Sequence, residues 1–371
     1  MDYLQNKQEK NRRKVMGNWE SYVRKVVPYV PGEQPDREHM IKLNTNENPY
    51  PPAPGVEKAL REFQTDKLRL YPEPTCKVLT EAIAENYGLK KEQVFVGVGS
   101  DDVLAMIFLT FFNSGVPILF PDITYSFYDV WADMLRIPYE TKALDDTFRI
   151  RKEDYYGENG GVIFPNPNAP TGVLMDCSEI EDILNHNRDV IVVVDEAYID
   201  FGGKSALPLI ERYDNLLVVQ TFSKSRSMAG MRIGYAMGNE KLIRYINDVK
   251  YSFNSYTMNQ TALALGVEAI RDKAYFEETR QKVIATREWT KKELIKLGFH
   301  FEDSMSNFIF ASHEKVPAKE IFEKLKKRDI YVRFFNKSRI DNYLRISIGT
   351  QQEMEIFIKE LQELLSEYSE A

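Results

Sequence analysis

The chemistry in this 371-residue chain gathers around one lysine. Lys224 follows the apolar run LLVVQTF at 216–222, with Thr221 and Ser223 just before it and Arg232 a short way on. A primary amine at a strand end can form an imine with an aldehyde cofactor. Two hydroxyls and a guanidinium suit a phosphate. Most lysines are solvated surface groups, so Lys224 by itself carries nothing. Its spacing from the hydroxyls and the arginine is the strong signal here.

Other apolar runs also end in polar clusters. VIVVV at 190–194 leads into Asp195-Glu196-Ala197-Tyr198. In isolation such a carboxylate is most simply a cap or a surface charge. Chemically, it can pair with a pyridinium nitrogen and strengthen that ring as an electron sink. Tyr198 could donate to the phenolic oxygen of the same ring, or be one buried tyrosine among 21. VFVGV at 94–98 leads into Gly99-Ser100-Asp101-Asp102. Glycine admits a close ligand, and the first N–H groups of a helix lack internal partners, which makes an anion site. Taken alone, this segment favours a plain helix cap. GVIFP at 161–165 leads into Asn166-Pro167-Asn168-Ala169-Pro170-Thr171-Gly172, a rigid turn. It is either a loop without a chemical task or one that sets an asparagine amide against the phenolic oxygen. After PILFP, Tyr125 could lie on an aromatic ring, where offset stacking adds roughly 0.5–1.5 kcal/mol, or fill a core equally well.

These residues must be positioned by an alternating frame. From about 75 to 240, short runs that are apolar at every position alternate with helix-like stretches. DDVLAMIFLTFF from Asp101 and TYSFYDVWADML from 124 are predicted helices. Strands of that kind argue for a parallel sheet covered on both faces, an α/β architecture. Ligands in such sheets sit beyond the carboxyl ends of the strands, where the polar clusters fall. The last third differs. A long charged helix is predicted at 272–297. NFIFAS, YVRFF and LRISIG are short strands interleaved with helices at 317–327 and 351–367. This reads as a smaller α+β domain, joined by the residues after the arm. The arm, 1–40, is polar and proline-bearing, with one helix near 18–26. The expected division is 1–65 for the arm and part of the small domain, 66–270 for the large domain and 271–371 for the C-terminal small domain.

Composition narrows the function. A net charge of −7 does not suit a nucleic-acid binder, whose affinity rests on neutralising phosphates. No apolar run approaches the ~20 residues that span a bilayer, and the start has no apolar signal core. Two cysteines, Cys76 and Cys177, make no disulfide framework and suit a reducing cytoplasm. His39, His186, His300 and His313 lie far apart in sequence, so no protein-bound catalytic metal is expected.

Together the motifs resemble the fold-type I pyridoxal-phosphate (PLP) enzymes of the class I/II aminotransferase superfamily, and within it the histidinol-phosphate aminotransferases. The landmarks are VPYVPG at 27–32, KLNTNENPYPP at 42–52, YPEP at 71–74, GVGSDD at 97–102, NPNAPTG at 166–172, DEAYIDF at 195–201, TFSKSRSMAGMRIGY at 221–235 and LRISIG at 344–349. The resemblance runs from Val27 to about Leu365. It implies a large domain with a mostly parallel seven-stranded sheet, a smaller α+β domain, and transamination between a small amino donor and a 2-oxo acid. Lys224 would be the imine lysine and general base, Asp195 the partner of the pyridine nitrogen, Tyr198 that of the phenolic oxygen, and Tyr125 the stacking ring. The Ser100 and Asp101 amides, Thr221, Ser223 and Arg232 would hold the phosphate. Tyr71 would reach the neighbouring subunit's cofactor, implying a homodimer with shared sites. Arg345 would meet the substrate's anionic end, with Arg333 and Tyr29 as helpers. One departure stands out. The superfamily's asparagine before Pro-Thr-Gly is here Ala169, and the adjacent Asn168 is assigned its task. Aspartate and aromatic amino acids are also anionic at that end, and a PLP decarboxylase of a phosphorylated amino acid shares the frame. A non-catalytic PLP domain of a transcription factor would need a basic winged-helix segment, for which the arm is too short.

Overall fold

The computed structural model describes residues 18–368, and its strands form two sheets. β1 (Ile41–Leu43) belongs to the smaller sheet. The larger takes β2 (Val94–Gly97), β3 (Ile118–Pro121), β4 (Tyr139–Lys142), β5 (Val162–Pro165), β6 (Val192–Asp195), β7 (Leu216–Thr221) and β8 (Gly234–Gly238). Their spatial order is β2-β8-β7-β6-β5-β3-β4. All pairings are parallel except those of β8, which runs antiparallel to β2 and β7. This is the mostly parallel seven-stranded sheet that the resemblance implies. The smaller sheet is completed by β9 (Phe299–Phe301), β10 (Phe308–His313), β11 (Ile330–Phe334) and β12 (Leu344–Ser347), in the order β1-β11-β12-β10-β9.

The helices are α1 (Pro54–Arg61), α2 (Lys77–Tyr87), α3 (Ser100–Phe111), α4 (Tyr128–Leu135), α5 (Cys177–His186), α6 (Glu240–Phe253), α7 (Gln260–Arg271), α8 (Lys273–Lys296), α9 (Ala318–Lys327) and α10 (Gln351–Ser366). They explain why the central strands are apolar at every residue. Successive side chains point to opposite faces, and both faces are covered. Val192 and Val194 pack with Leu79 of α2, Ile183 of α5 and Leu263 of α7. Val193 between them packs with Phe108 of α3, Trp131 of α4 and Ile246 of α6. Each fully buried valine or leucine contributes roughly 1.5–3 kcal/mol, so Val193→Asp, with no partner in that layer, would be severely destabilising. The smaller sheet packs on α8, α9 and α10 through Leu294, Leu325 and Leu361.

The two parts meet beside the strand ends. Ile123, Leu144, Phe148 and Val173 join Phe310 and Ile340 in one apolar cluster. Arg339 donates to the Asp122 carboxylate at 2.8 Å, and Lys337 to the Asp122 carbonyl at 3.0 Å.

Some expectations shift. The helix near 18–26 is a single 3-10 turn, Asn18–Tyr22. Val23, Val26 and Val27 are β-branched and Pro28 follows, which disfavours helix. The first 17 residues of the arm lie outside the described residues. α4 starts at Tyr128 rather than 124, because the preceding residues form a turn in which Tyr128 N–H bonds the Tyr125 carbonyl at 3.2 Å. β4 escaped notice because this edge strand, YETK, is largely exposed and lacks an apolar pattern.

Candidate active site

The carboxyl end of the larger sheet opens into a cleft lined by Lys224, Asp195, Tyr198, Tyr125, Arg232 and the polar residues around them. Each arrives on a strand end or the turn after it, as the frame requires.

The phosphate-like corner is built where β2 meets β8. Gly99 has φ +85°, and a Cβ there would stand 2.5 Å from Arg232 Nη2. A Cβ on Gly234 would stand 2.3 Å from the Ser100 nitrogen. Both glycines therefore hold the backbone open around the start of α3. Ser223 N–H donates to Thr221 Oγ1 at 3.1 Å, and the two hydroxyls lie 3.0 Å apart. Arg232 Nη1 reaches Ser223 Oγ at 3.5 Å. The Asp101 side chain also enters: it accepts from Tyr125 Oη at 2.6 Å and from Arg232 Nη2 at 3.0 Å. That ion pair is 44% and 37% exposed at its two side chains. A pair so hydrated contributes about 0–1 kcal/mol, too little to keep Arg232 from a phosphate dianion.

Asp195 ends β6 and is buried. Its Oδ2 accepts from Tyr128 Oη at 3.0 Å, and its Oδ1 from Ala197 N–H at 3.3 Å. No cation pairs with it among the described residues. Burial pushes its carboxyl from its ordinary 3.8 up to about 7, against the opposing Tyr128 bond. A buried carboxylate lacking a counter-charge is the complement of a protonated ring nitrogen. Lys224 is half-buried, with Nζ 3.4 Å from the Thr45 carbonyl and 5.5 Å from the Tyr198 ring centre. Amine, buried carboxylate and phosphate-binding corner in one cleft fit the functional groups of PLP.

The expected asparagine is absent from the cleft. Ala169 lines it instead. Asn168 donates to the Ile123 carbonyl at 3.0 Å and to Thr171 Oγ1 at 2.9 Å, and its Oδ1 is buried without a partner. It shapes the loop from the opposite side, where it lines a separate cavity with Phe148 and Met175. Of the two neighbours, Ala169 therefore lines this cleft and Asn168, to which the cofactor contact was assigned, lines the other cavity. Tyr71 also stands apart: it is 82% exposed and its ring lies 4.8 Å from that of Tyr256.

At the far end, Arg333 and Arg345 are direct cross-strand partners on β11 and β12. Both guanidinium groups lie over the Phe335 ring, at 5.6 and 5.7 Å. Arg345 is half-buried, with its Nε shut off from solvent. Its Nη2 donates to the Asn44 carbonyl at 2.9 Å, and its Nε has no partner. Burial lowers its proton affinity, while the Tyr198, Tyr29 and Tyr125 hydroxyls act on it the other way. Tyr29 stacks on Phe127 at 4.2 Å, bringing the arm to this end.

Tyr128 and Asn46 were missed by sequence reasoning. Tyr128 lies three residues after Tyr125, a spacing that carried a usable signal. Asn46 lies inside the KLNTNENPYPP landmark, yet it touches Tyr198 across 152 positions, which no local pattern reveals. Among the described residues, no group of three or more His, Cys, Asp or Glu could hold a metal ion, and no helix is long and apolar enough to cross a membrane.

Comparison with known proteins adds the following. The family model for aminotransferase class I and II matches residues 38–361. A histidinol-phosphate aminotransferase of Clostridium botulinum (strain Langeland) is 51% identical over 348 residues, covering 94% of this chain and 98% of that protein. One from Lactococcus lactis subsp. cremoris shows the same identity and coverage. The crystal structure of the Sinorhizobium meliloti histidinol-phosphate aminotransferase with pyridoxal-5'-phosphate superposes with a TM-score of 0.81 at 23% identity, covering 89% of this chain and 91% of that one.

Proposed function

The chain belongs to the class I and II aminotransferases, and on that footing we propose that it moves the amino group of histidinol phosphate to 2-oxoglutarate with PLP as cofactor, a step of histidine biosynthesis. The observation that carries the chemistry is Asp195, a buried carboxylate that forms no ion pair among the described residues and lines the same cleft as Lys224. PLP supplies an electron sink for the bonds at the amino-bearing carbon. The chain's residues do the rest.

Ser100 and Asp101 N–H groups at the start of α3, with Thr221, Ser223 and Arg232, hold the cofactor phosphate. Asp195 keeps the ring nitrogen protonated, and Tyr128 keeps Asp195 ionised by donating to Oδ2. Tyr198 serves the phenolic oxygen, and Tyr125 covers the ring. Lys224 is the covalent anchor. Its Nζ would also take the proton from the substrate's amino-bearing carbon and later return one. Arg345, half-buried and with no carboxylate partner among the described residues, holds the substrate's anion, and Arg333 and Tyr29 assist. Histidinol phosphate has no carboxylate and 2-oxoglutarate no phosphate, so the same guanidinium serves both in turn; it binds either anion bidentately.

Two finer readings belong to the same proposal. The enzyme is a homodimer in which Tyr71 completes the partner's site. In support, exposed Tyr71 packs on the ring of Tyr256, itself exposed, with exposed Leu68 and Leu70 just before it in the chain, and such apolar surface marks an interaction site. The enzyme works in the cytoplasm, which suits two free cysteines. Borohydride reduction followed by peptide mapping tests the anchor. The label is expected on Lys224, and a label on any other lysine removes the assignment.

A further inference from the structure

Tyr198 stands on the larger sheet's side of the cleft, but its hydroxyl is held from the smaller sheet. Asn46 Nδ2 donates to Tyr198 Oη at 3.0 Å. Asn46 is 1% exposed and has φ +55°, a left-handed conformation that asparagine tolerates better than most side chains. Three bonds pin it. Its N–H donates to Ser347 Oγ at 2.9 Å, the Ser347 hydroxyl donates back to its Oδ1 at 2.9 Å, and Asn307 Nδ2 donates to its carbonyl at 3.0 Å. With Oδ1 committed to the Ser347 proton, the amide cannot turn over, and Nδ2 must face Tyr198.

A tyrosine hydroxyl has one proton to give and lone pairs to accept with. Here an N–H already occupies the acceptor side, and Phe308 packs edge-on against the ring, 5.0 Å between centres. The open direction for the proton is the cleft, which Tyr198 lines. We propose that Asn46 is a positioning residue that obliges Tyr198 to donate into the cleft, toward the cofactor's phenolic oxygen. It would do so from the smaller sheet because the 166–172 loop offers only Ala169 there. Ser347 is two residues beyond Arg345 on β12, so the strand that meets the substrate's anion also sets the Tyr198 proton. The proposal rests on the reading of Tyr198 as the phenolic-oxygen partner.

The test is the pH at which the visible absorption band of the bound cofactor titrates. A hydrogen bond donated to the phenolic oxygen withdraws charge and weakens its hold on the proton it shares with the neighbouring imine nitrogen. Losing that bond therefore moves the midpoint up, by about one pH unit. Asn46→Asp is nearly isosteric but puts an acceptor where the donor was, so the Tyr198 proton turns away from the cleft. The expected midpoint rises as it does in Tyr198→Phe, and the double variant shifts no further than Tyr198→Phe alone. Ser347→Ala, which frees the Asn46 amide to turn over, is expected to give a smaller rise, and it carries the test if Asn46→Asp does not fold. A raised midpoint in Tyr198→Phe beside an unmoved one in Asn46→Asp and Ser347→Ala overturns the proposal alone. An unmoved midpoint in Tyr198→Phe overturns the reading of Tyr198 and the proposal with it.

Discussion

Asp195→Asn should make the cofactor-free protein more stable while abolishing most of its activity. The Asp195 carboxyl is buried, takes one hydroxyl and one long backbone hydrogen bond, and forms no ion pair among the described residues. Burial raises it from 3.8 to about 7. The sign follows from proton binding. Below about pH 4 the group is protonated in both the folded and the unfolded chain and costs nothing. As pH rises toward 7, the unfolded chain ionises freely while the folded chain resists, so stability falls. Above about 7 the penalty levels off. Three units at 1.36 kcal/mol each give about 4 kcal/mol as the ceiling on that penalty. Asparagine keeps the size and an oxygen for Tyr128 but carries no charge. The assay is denaturant unfolding of cofactor-free wild type and variant at pH 5, 6, 7 and 8. The variant should gain about 1.5 kcal/mol at pH 5 and about 4 kcal/mol at pH 8. A difference that does not change with pH, or a variant less stable at pH 8, would refute the reasoning. With cofactor bound, the same substitution removes the partner of the ring nitrogen, and turnover should fall by orders of magnitude while cofactor still binds.

Tyr128→Phe should raise the Asp195 carboxyl further, move the acid limb of the kcat/KM profile to higher pH, and slow turnover about tenfold or more, the equivalent of one lost charge-assisted hydrogen bond; an unmoved limb would make Tyr128 a packing residue only. Arg345→Ala should weaken histidinol phosphate and glutamate alike, by roughly ten- to a hundredfold. Arg333→Ala should weaken histidinol phosphate more, since a dianion uses the second guanidinium. Equal losses in half-reaction titrations would end that special role. Mixing Tyr71→Phe subunits with Lys224→Ala subunits should give hybrids in which both lesions share one site and the other site works. Activity that instead places Tyr71 within its own subunit's site would contradict the shared-site dimer.

How much of this was legible depends on where the partners lie along the chain. Thr221, Ser223, Lys224 and Arg232 follow a single strand, so their spacing alone announces their chemistry, and Asp195 stands at the end of a strand apolar at every position. The parallel core was legible for the same reason: residues buried on both faces leave an unbroken apolar run. The loop after β5 was harder. Asn168 and Ala169 are adjacent, and which one faces the cleft is a matter of turn geometry rather than of composition. Tyr128 and Asp195 come together only when α4 packs on the sheet, and Asn46 meets Tyr198 only when the two sheets close on each other. Neither contact has a periodic signature. β4 and β1 were unreadable because an exposed edge strand and a three-residue strand carry too little pattern.

The central claim is that Lys224 and Arg345 serve one cleft that takes the amino group from a phosphorylated donor and passes it to a 2-oxo acid. The most direct measurement follows the cofactor's absorption in single half-reactions with histidinol phosphate, glutamate, aspartate, phenylalanine and threonine phosphate. Histidinol phosphate and glutamate should each convert the cofactor to its amine form fastest, and Arg345→Ala should slow both. Faster conversion by aspartate or phenylalanine than by histidinol phosphate, or carbon dioxide release from threonine phosphate, would contradict the account.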